Sequence, residues 1–162
     1  MHPAIMKFPT AFFLLIATAV TGVACSGPDP EKLRGTEWLC VDTVEPGEEG
    51  KLQYPDPANP PEDAFREVYS EDGQYQVFAA NTGESILGEG VEKARYNLEK
   101  NMKGDLILTV DLFVLDGKWT SEEDRIPYII KELTDSHFHA MADEEQYDDR
   151  FFNESKCVRL NK

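Results

Sequence analysis

Residues 36–44 alternate Trp38 and Cys40 against Leu39 and Val41, and side chains that alternate along a strand fall on opposite faces of a sheet. Comparable short runs follow at 65–70, 74–80, 91–99, 106–115, 125–133, 137–142 and 155–160. Turn chemistry separates them: Glu71-Asp72-Gly73, the segment Asn101 to Asp105 with its Gly104, Asp116-Gly117 and Thr134-Asp135. Glycine there supplies the positive φ that tight hairpins require. Pro127 stands near the start of the sixth run, where loss of one N–H is tolerable. No long helical periodicity interrupts the pattern, so it predicts an all-β domain. Eight segments suit an eight-stranded antiparallel up-and-down barrel, because closure pairs both sheet edges and leaves space for one small ligand. A two-sheet sandwich is the alternative.

Two connections break the rhythm of short turns. Residues 45–63 carry Pro46, Pro55, Pro57, Pro60 and Pro61, and so long a proline-rich loop is expected to act as a lid. Residues 81–90 form the second loop.

The first 25 residues have a different character. Lys7 is the only charged group before Cys25, and Phe12-Phe13-Leu14-Leu15-Ile16-Ala17 is the apolar centre of a signal peptide. The run is short for a membrane span and ends on small residues. Its last four residues, Gly22-Val23-Ala24-Cys25, resemble the lipobox of bacterial lipoproteins. That resemblance implies cleavage before Cys25 and attachment of the Cys25 thiol to diacylglycerol; ordinary cleavage, leaving a plain thiol, is the alternative. Each buried methylene contributes about 0.8 kcal/mol, so two or three acyl chains hold a protein at a membrane without a protein span. Ser26 after the Cys implies sorting to the outer membrane, facing the periplasm. The expected organisation is a signal peptide at 1–24, an acylated Cys with a tether at 25–34, and a barrel at 35–162.

Composition then narrows the partners. With 16 Lys plus Arg against 31 Asp plus Glu, the formal charge is -15, which repels phosphate backbones and argues against nucleic-acid binding. A monomer is expected. If Cys25 is acylated, Cys40 and Cys157 remain, and an even pair in an oxidising compartment points to a disulfide, two buried free thiols being the alternative. In a closed up-and-down barrel the first and last strands are antiparallel neighbours. With Cys40 opposite Cys157, Trp38 faces Arg159 on the same side of the sheet, a cation–π geometry, and Leu39 faces Val158 on the other.

At these residues the chain resembles the lipocalin-like (calycin) barrels, and especially the small lipocalin-like lipoproteins of bacteria. Leu33, Gly35, Thr36 and Trp38 match the opening of their first strand, residues 45–63 their lid-like loop, and Arg159 the Arg that packs over the Trp at the closed end. The same opening also resembles META-type lipoprotein domains, whose Gly-Cys-Asn signature is absent here. The resemblance implies a closed barrel with an interior site, for which Tyr69, Tyr96, Phe113 and Phe138 are the candidate lining residues, with ordinary core packing as the competing role.

No Gly-x-Ser-x-Gly elbow, phosphate-binding loop or His-Glu-x-x-His helix occurs, so the chain is not expected to be an enzyme or to hold a cofactor. His137 and His139 share one strand face, a spacing zinc can use, but Phe138, Ala140 and Ala142 make the better inward face, so the histidines are expected in solvent and no metal is expected. The acidic stretch 143–149 lacks the pattern of a calcium loop and reads as solvated. Two functions stand: a membrane-anchored periplasmic protein binding a small apolar or amphipathic ligand, or an interaction or inhibitor protein whose acidic loops meet a cationic partner. A connected interior space of about 300 Å³ or more favours the ligand, a filled core the partner.

Overall fold

The computed structural model describes residues 27–43, 50–120, 125–143 and 153–161. Among them nine strands form: β1 Thr36–Thr43, β2 Phe65–Tyr69, β3 Gln74–Ala79, β4 Val91–Lys100, β5 Leu106–Val114, β6 Lys118–Trp119, β7 Tyr128–Leu133, β8 His137–Ala142 and β9 Glu154–Arg159. The sheet runs β4-β3-β2-β1-β9-β8-β7-β5-β6, and a further pairing of β4 with β5 closes it. All pairings are antiparallel. The architecture is thus a closed eight-strand antiparallel barrel, with β6 as a short flap on β5, and the sandwich is excluded. The expected signal peptide, the expected anchor at Cys25 and most of the acidic stretch lie outside the described residues.

Closure occurs in the register expected from the cysteines. Cys40 lies opposite Cys157, Trp38 opposite Arg159 and Leu39 opposite Val158. A disulfide joins Cys40 to Cys157, their Cα atoms 4.1 Å apart, just under the usual bridging range of about 4.4 to 6.8 Å. The Arg159 guanidinium stands 5.9 Å from the centroid of the Trp38 ring.

One end of the barrel is plugged. The segment expected as tether already belongs to the folded body: a 3-10 turn at Pro30–Lys32 is capped by the Asp29 carboxylate, Lys32 pairs with Asp135 at 3.0 Å, and Leu33 is fully buried. Gly35 follows at φ +65, and a Cβ there would meet Glu71 Cγ at 3.1 Å, so the turn into β1 requires glycine. Thr36 then donates to the Leu33 carbonyl and accepts from the Trp38 indole N–H at 2.6 Å. The plug is completed by Trp38 against Phe138, ring centroids 5.7 Å apart.

Where it is described, the proline-rich connection is not a lid over the mouth, and residues 45–49 lie outside the described residues. Its described part, 50–63, runs down the outside of the wall. Leu52, with Ala80 and Val158, packs against the cluster of Leu39, Val41 and Ala64, the Tyr54 ring sits 4.5 Å from that of His137, and the Tyr54 hydroxyl donates to Glu132 at 2.7 Å. The physical reason is that β1 is apolar on both faces, and an outer face bearing Leu39 and Val41 needs its own cover. The strap also explains His139. Its side chain points outward as expected but is only 18% exposed, with Nε2 at 2.9 Å from the buried Glu154 carboxylate. Burial outweighs that carboxylate and lowers the His139 pKa. The Gly50 N–H donates to Glu154 at 3.0 Å, and Lys156 donates to the Leu52 carbonyl at 2.8 Å.

The sixth segment begins later than its pattern suggests, at Tyr128 rather than Arg125, because Pro127 has no N–H to offer a ladder. Asp116-Gly117 turns the chain as expected, Gly117 at φ +81, and the short β6 follows.

Candidate functional site

Alternation decides what faces inward. On β1 the inward set is Thr36, Trp38, Cys40 and Asp42; their neighbours on β2 are Tyr69, Glu67 and Phe65, and on β9 Arg159, Cys157 and Ser155. Continuing round the barrel, β3 contributes Tyr75 and Val77, β5 Leu108, Val110 and Leu112, β7 Tyr128, and β8 Phe138 and Ala140. Above the plug these side chains do not meet across the axis. They enclose a connected cavity of about 380 Å³, with Ile86 and Leu87 from the β3–β4 connection and Thr120 and Ile126 from the β5–β7 connection at its upper part. Ile86 is 48% exposed and Asp42 is also exposed, which marks this end as the mouth.

The expected lining residues separate into two groups. Tyr69 and Phe138 line the cavity, both buried, their rings 6.1 Å apart and edge to face. Tyr96 faces inward but packs behind Tyr69, at 5.1 Å, and its hydroxyl donates to the Ser70 carbonyl at 2.7 Å, so it belongs to the plug. Phe113 faces outward, which corrects the expectation for it. Leu108, Val110 and Leu112 take the inward positions of β5, leaving Thr109, Asp111 and Phe113 on the outer face. There Phe113 meets Trp119 edge to face, ring centroids 5.2 Å apart, with the Lys93 ammonium 4.6 Å from its centroid.

Glu67, which the residue pattern did not single out, is the most informative group in the interior. The Tyr69 hydroxyl donates to its Oε2 at 2.7 Å and the Tyr75 hydroxyl to its Oε1 at 2.6 Å. Burial pushes its carboxyl above the ordinary value; the two tyrosine bonds oppose that rise and the Asp42 charge adds to it. Asp42 at the mouth is also raised, chiefly because the rim strips part of its water although the side chain still reaches solvent, against a bond to Asn153. Both tyrosines are driven well above their normal range by burial and then by the Glu67 charge, so they act as neutral donors.

Sγ of Cys40 approaches Glu67 Oε2 at 3.6 Å, and a cation fitted between Cys40, Cys157 and Glu67 would find three close donor atoms. The two sulfurs are bonded to each other, however, so neither is a thiolate and no metal centre follows. His137 and His139 lie on the outer face under the strap, away from the interior.

Comparison of the chain with protein-family models, with characterised proteins and with solved structures finds no match. The reading of the site therefore stands on its geometry.

Proposed function

We propose that the protein is a lipid-anchored barrel of the lipocalin-like lipoprotein kind, held at the outer membrane through Cys25 and carrying a small apolar or amphipathic molecule in its interior. The observation that supports this reading is the connected cavity of about 380 Å³ above a plugged end. That space lies within the range of small-molecule sites, about 300 to 1,000 Å³, and its walls are mainly apolar and aromatic with a few convergent polar groups. An eight-stranded barrel that served only as a rigid platform for an acidic loop has no need of such a space, since side chains suffice to fill it.

Native mass spectrometry of the full-length protein after mild extraction from a Gram-negative host tests the carried molecule. Added mass that stays with the oxidised barrel and is released to organic solvent is the expected result. Consistently bare protein, which also fails to take up a fluorescent apolar probe, would move the assignment to an interaction protein with a cationic partner. The anchor is tested separately: the unmutated chain should incorporate a fatty-acid analogue and Cys25→Ser should not.

A further inference from the structure

The cavity wall has a chemical asymmetry. Among the described residues that line it, two are carboxylic acids, Asp42 at the mouth and Glu67 at depth, and none is Lys or Arg. Glu67 is held between the hydroxyls of Tyr69 and Tyr75, one on each carboxylate oxygen, so each oxygen keeps a further lone pair for another donor. Phe65, Tyr128 and Phe138 complete an aromatic surround, and aromatic faces attract cations.

We propose that the molecule carried in the barrel is a cationic amphiphile, an amine or quaternary ammonium on a compact apolar body, whose charge pairs with Glu67 and whose body lies between Tyr69, Phe138 and the Leu108 wall. This deepens the binding reading above and rests on it. A carboxyl sunk in an apolar wall with no counter-ion costs free energy to ionise, and a bound cation offsets that cost. The upward displacement of the Glu67 pKa is the same cost seen from the protein's side. A free carboxylate ligand meets the opposite situation, passing Asp42 and ending beside Glu67 with no cation among the described lining residues to receive it. The space, about a dozen water volumes, sets the size of the body.

The test uses three probes of nearly one shape, tryptamine, tryptophol and indoleacetate, titrated calorimetrically into the full-length oxidised protein in nonionic detergent at neutral pH. Tryptamine should bind about tenfold more tightly than tryptophol, as a charge-assisted bond in place of a neutral one implies, and indoleacetate most weakly. Glu67→Gln should remove about tenfold of the tryptamine affinity and leave tryptophol within about twofold. Should Glu67→Gln fail to fold, Asp42→Asn, which leaves both tyrosines their acceptor, should weaken tryptamine by about two- to threefold and spare tryptophol. Tryptophol binding as tightly as tryptamine, or a Glu67→Gln loss shared equally by both, overturns the cation preference and leaves the binding function intact. Failure of all three probes together with a neutral apolar dye overturns the binding function itself.

Discussion

Around β1 the barrel wall is bonded along its whole length. Its pairing with β9 runs from Trp38 opposite Arg159 to Thr43 opposite Glu154, and its other edge holds β2 from Thr36 to Cys40. The β4–β5 hairpin is attached differently. Its own two strands pair from Lys100 opposite Leu106 to Val91 opposite Val114. Its ladders to the barrel strands on either side, however, are short: Gln74 opposite Arg95 and Tyr75 opposite Ala94 on one side, and Ile107 opposite Ile129 and Leu108 opposite Tyr128 on the other, while the flap β6 pairs with its far end. Towards the mouth both seams part, and the gaps are bridged by side chains and loops. Leu87 fills one; Thr120, which donates its N–H to the Leu112 carbonyl at 2.8 Å, and Arg125, whose Nη2 reaches Asp111 at 3.2 Å, span the other.

The contrast divides labour between two parts of one barrel. The β1–β9 wall has an apolar plug inside, a strap outside and a covalent bond across it, so it sets global stability. The β4–β5 hairpin has few ladder bonds to its neighbours near the mouth, which is where local opening is least costly. Under the proposed binding function, a molecule entering the cavity would pass beside the hairpin, with the wall that carries Glu67 rigid behind it.

The largest effect expected from breaking this contrast is loss of the disulfide. Changing Cys40 and Cys157 both to Ser should cost about 2 to 5 kcal/mol in urea unfolding, because the bond closes a long loop across the seam that joins the chain's two ends. An equal loss from a change confined to the hairpin would reverse the assignment of stability to the wall. Next in size is the Trp38–Arg159 pair. Arg159→Ala should cost about 0.5 to 2 kcal/mol with the disulfide intact, and the Trp38→Phe, Arg159→Ala double change should cost less than the two single changes together. Strict additivity would mean that the guanidinium contributes by packing alone.

What could be read from the residues follows the same division. The wall was legible because alternation and two cysteines constrain each other: a single register brings Cys40 to Cys157, and that register also places Arg159 over Trp38. The inward positions of Tyr69 and Phe138 follow from the same alternation. On β5 the apolar run Leu106-Ile107-Leu108 hides which parity is inward; the deciding signal is the polar pair Thr109 and Asp111, which shares a face with Phe113. Glu67 is hard to read from sequence because a lone Glu between Arg66 and Val68 resembles a solvated position, although its parity with Phe65 and Tyr69 places it inside. The strap offered Leu52 and Tyr54 as apolar contacts, but a loop without periodicity does not say which surface they cover.

A third test concerns Glu67, the carboxyl on the inner face of the rigid wall. Because the Glu67 pKa is higher in the folded chain than its unfolded value near 4.5, the unfolded chain loses its proton first as pH rises. The folded state should therefore lose stability from Glu67 as pH climbs through the unfolded value, and the loss should level off above the folded one. Asp42 works in the same direction, while His139, lowered on folding, works against stability as pH falls below about 6.5. Urea titrations of wild type and Glu67→Gln from pH 4 to 6 should show the two curves diverging, the variant gaining relative to wild type as pH rises. Parallel curves would mean that Glu67 ionises as freely in the barrel as outside it.

The smallest effect should come from the outer face of the hairpin. Phe113 contacts Trp119 at 5.2 Å and Lys93 at 4.6 Å, and Arg95 stands 4.2 Å from the Trp119 ring while its Nε reaches Asp111 at 2.9 Å. None of these side chains lines the cavity. Phe113→Ala removes a surface aromatic pair, so global stability should fall by only about 0.5 to 1.5 kcal/mol, and uptake of an apolar probe should hold its affinity. Amide exchange should report where the change is felt: faster exchange in the mouth half of β4 and β5, with β1 and β9 unaltered. If β1 and β9 accelerated in step, the hairpin and wall would open as one unit, and entry beside the hairpin would have no physical basis.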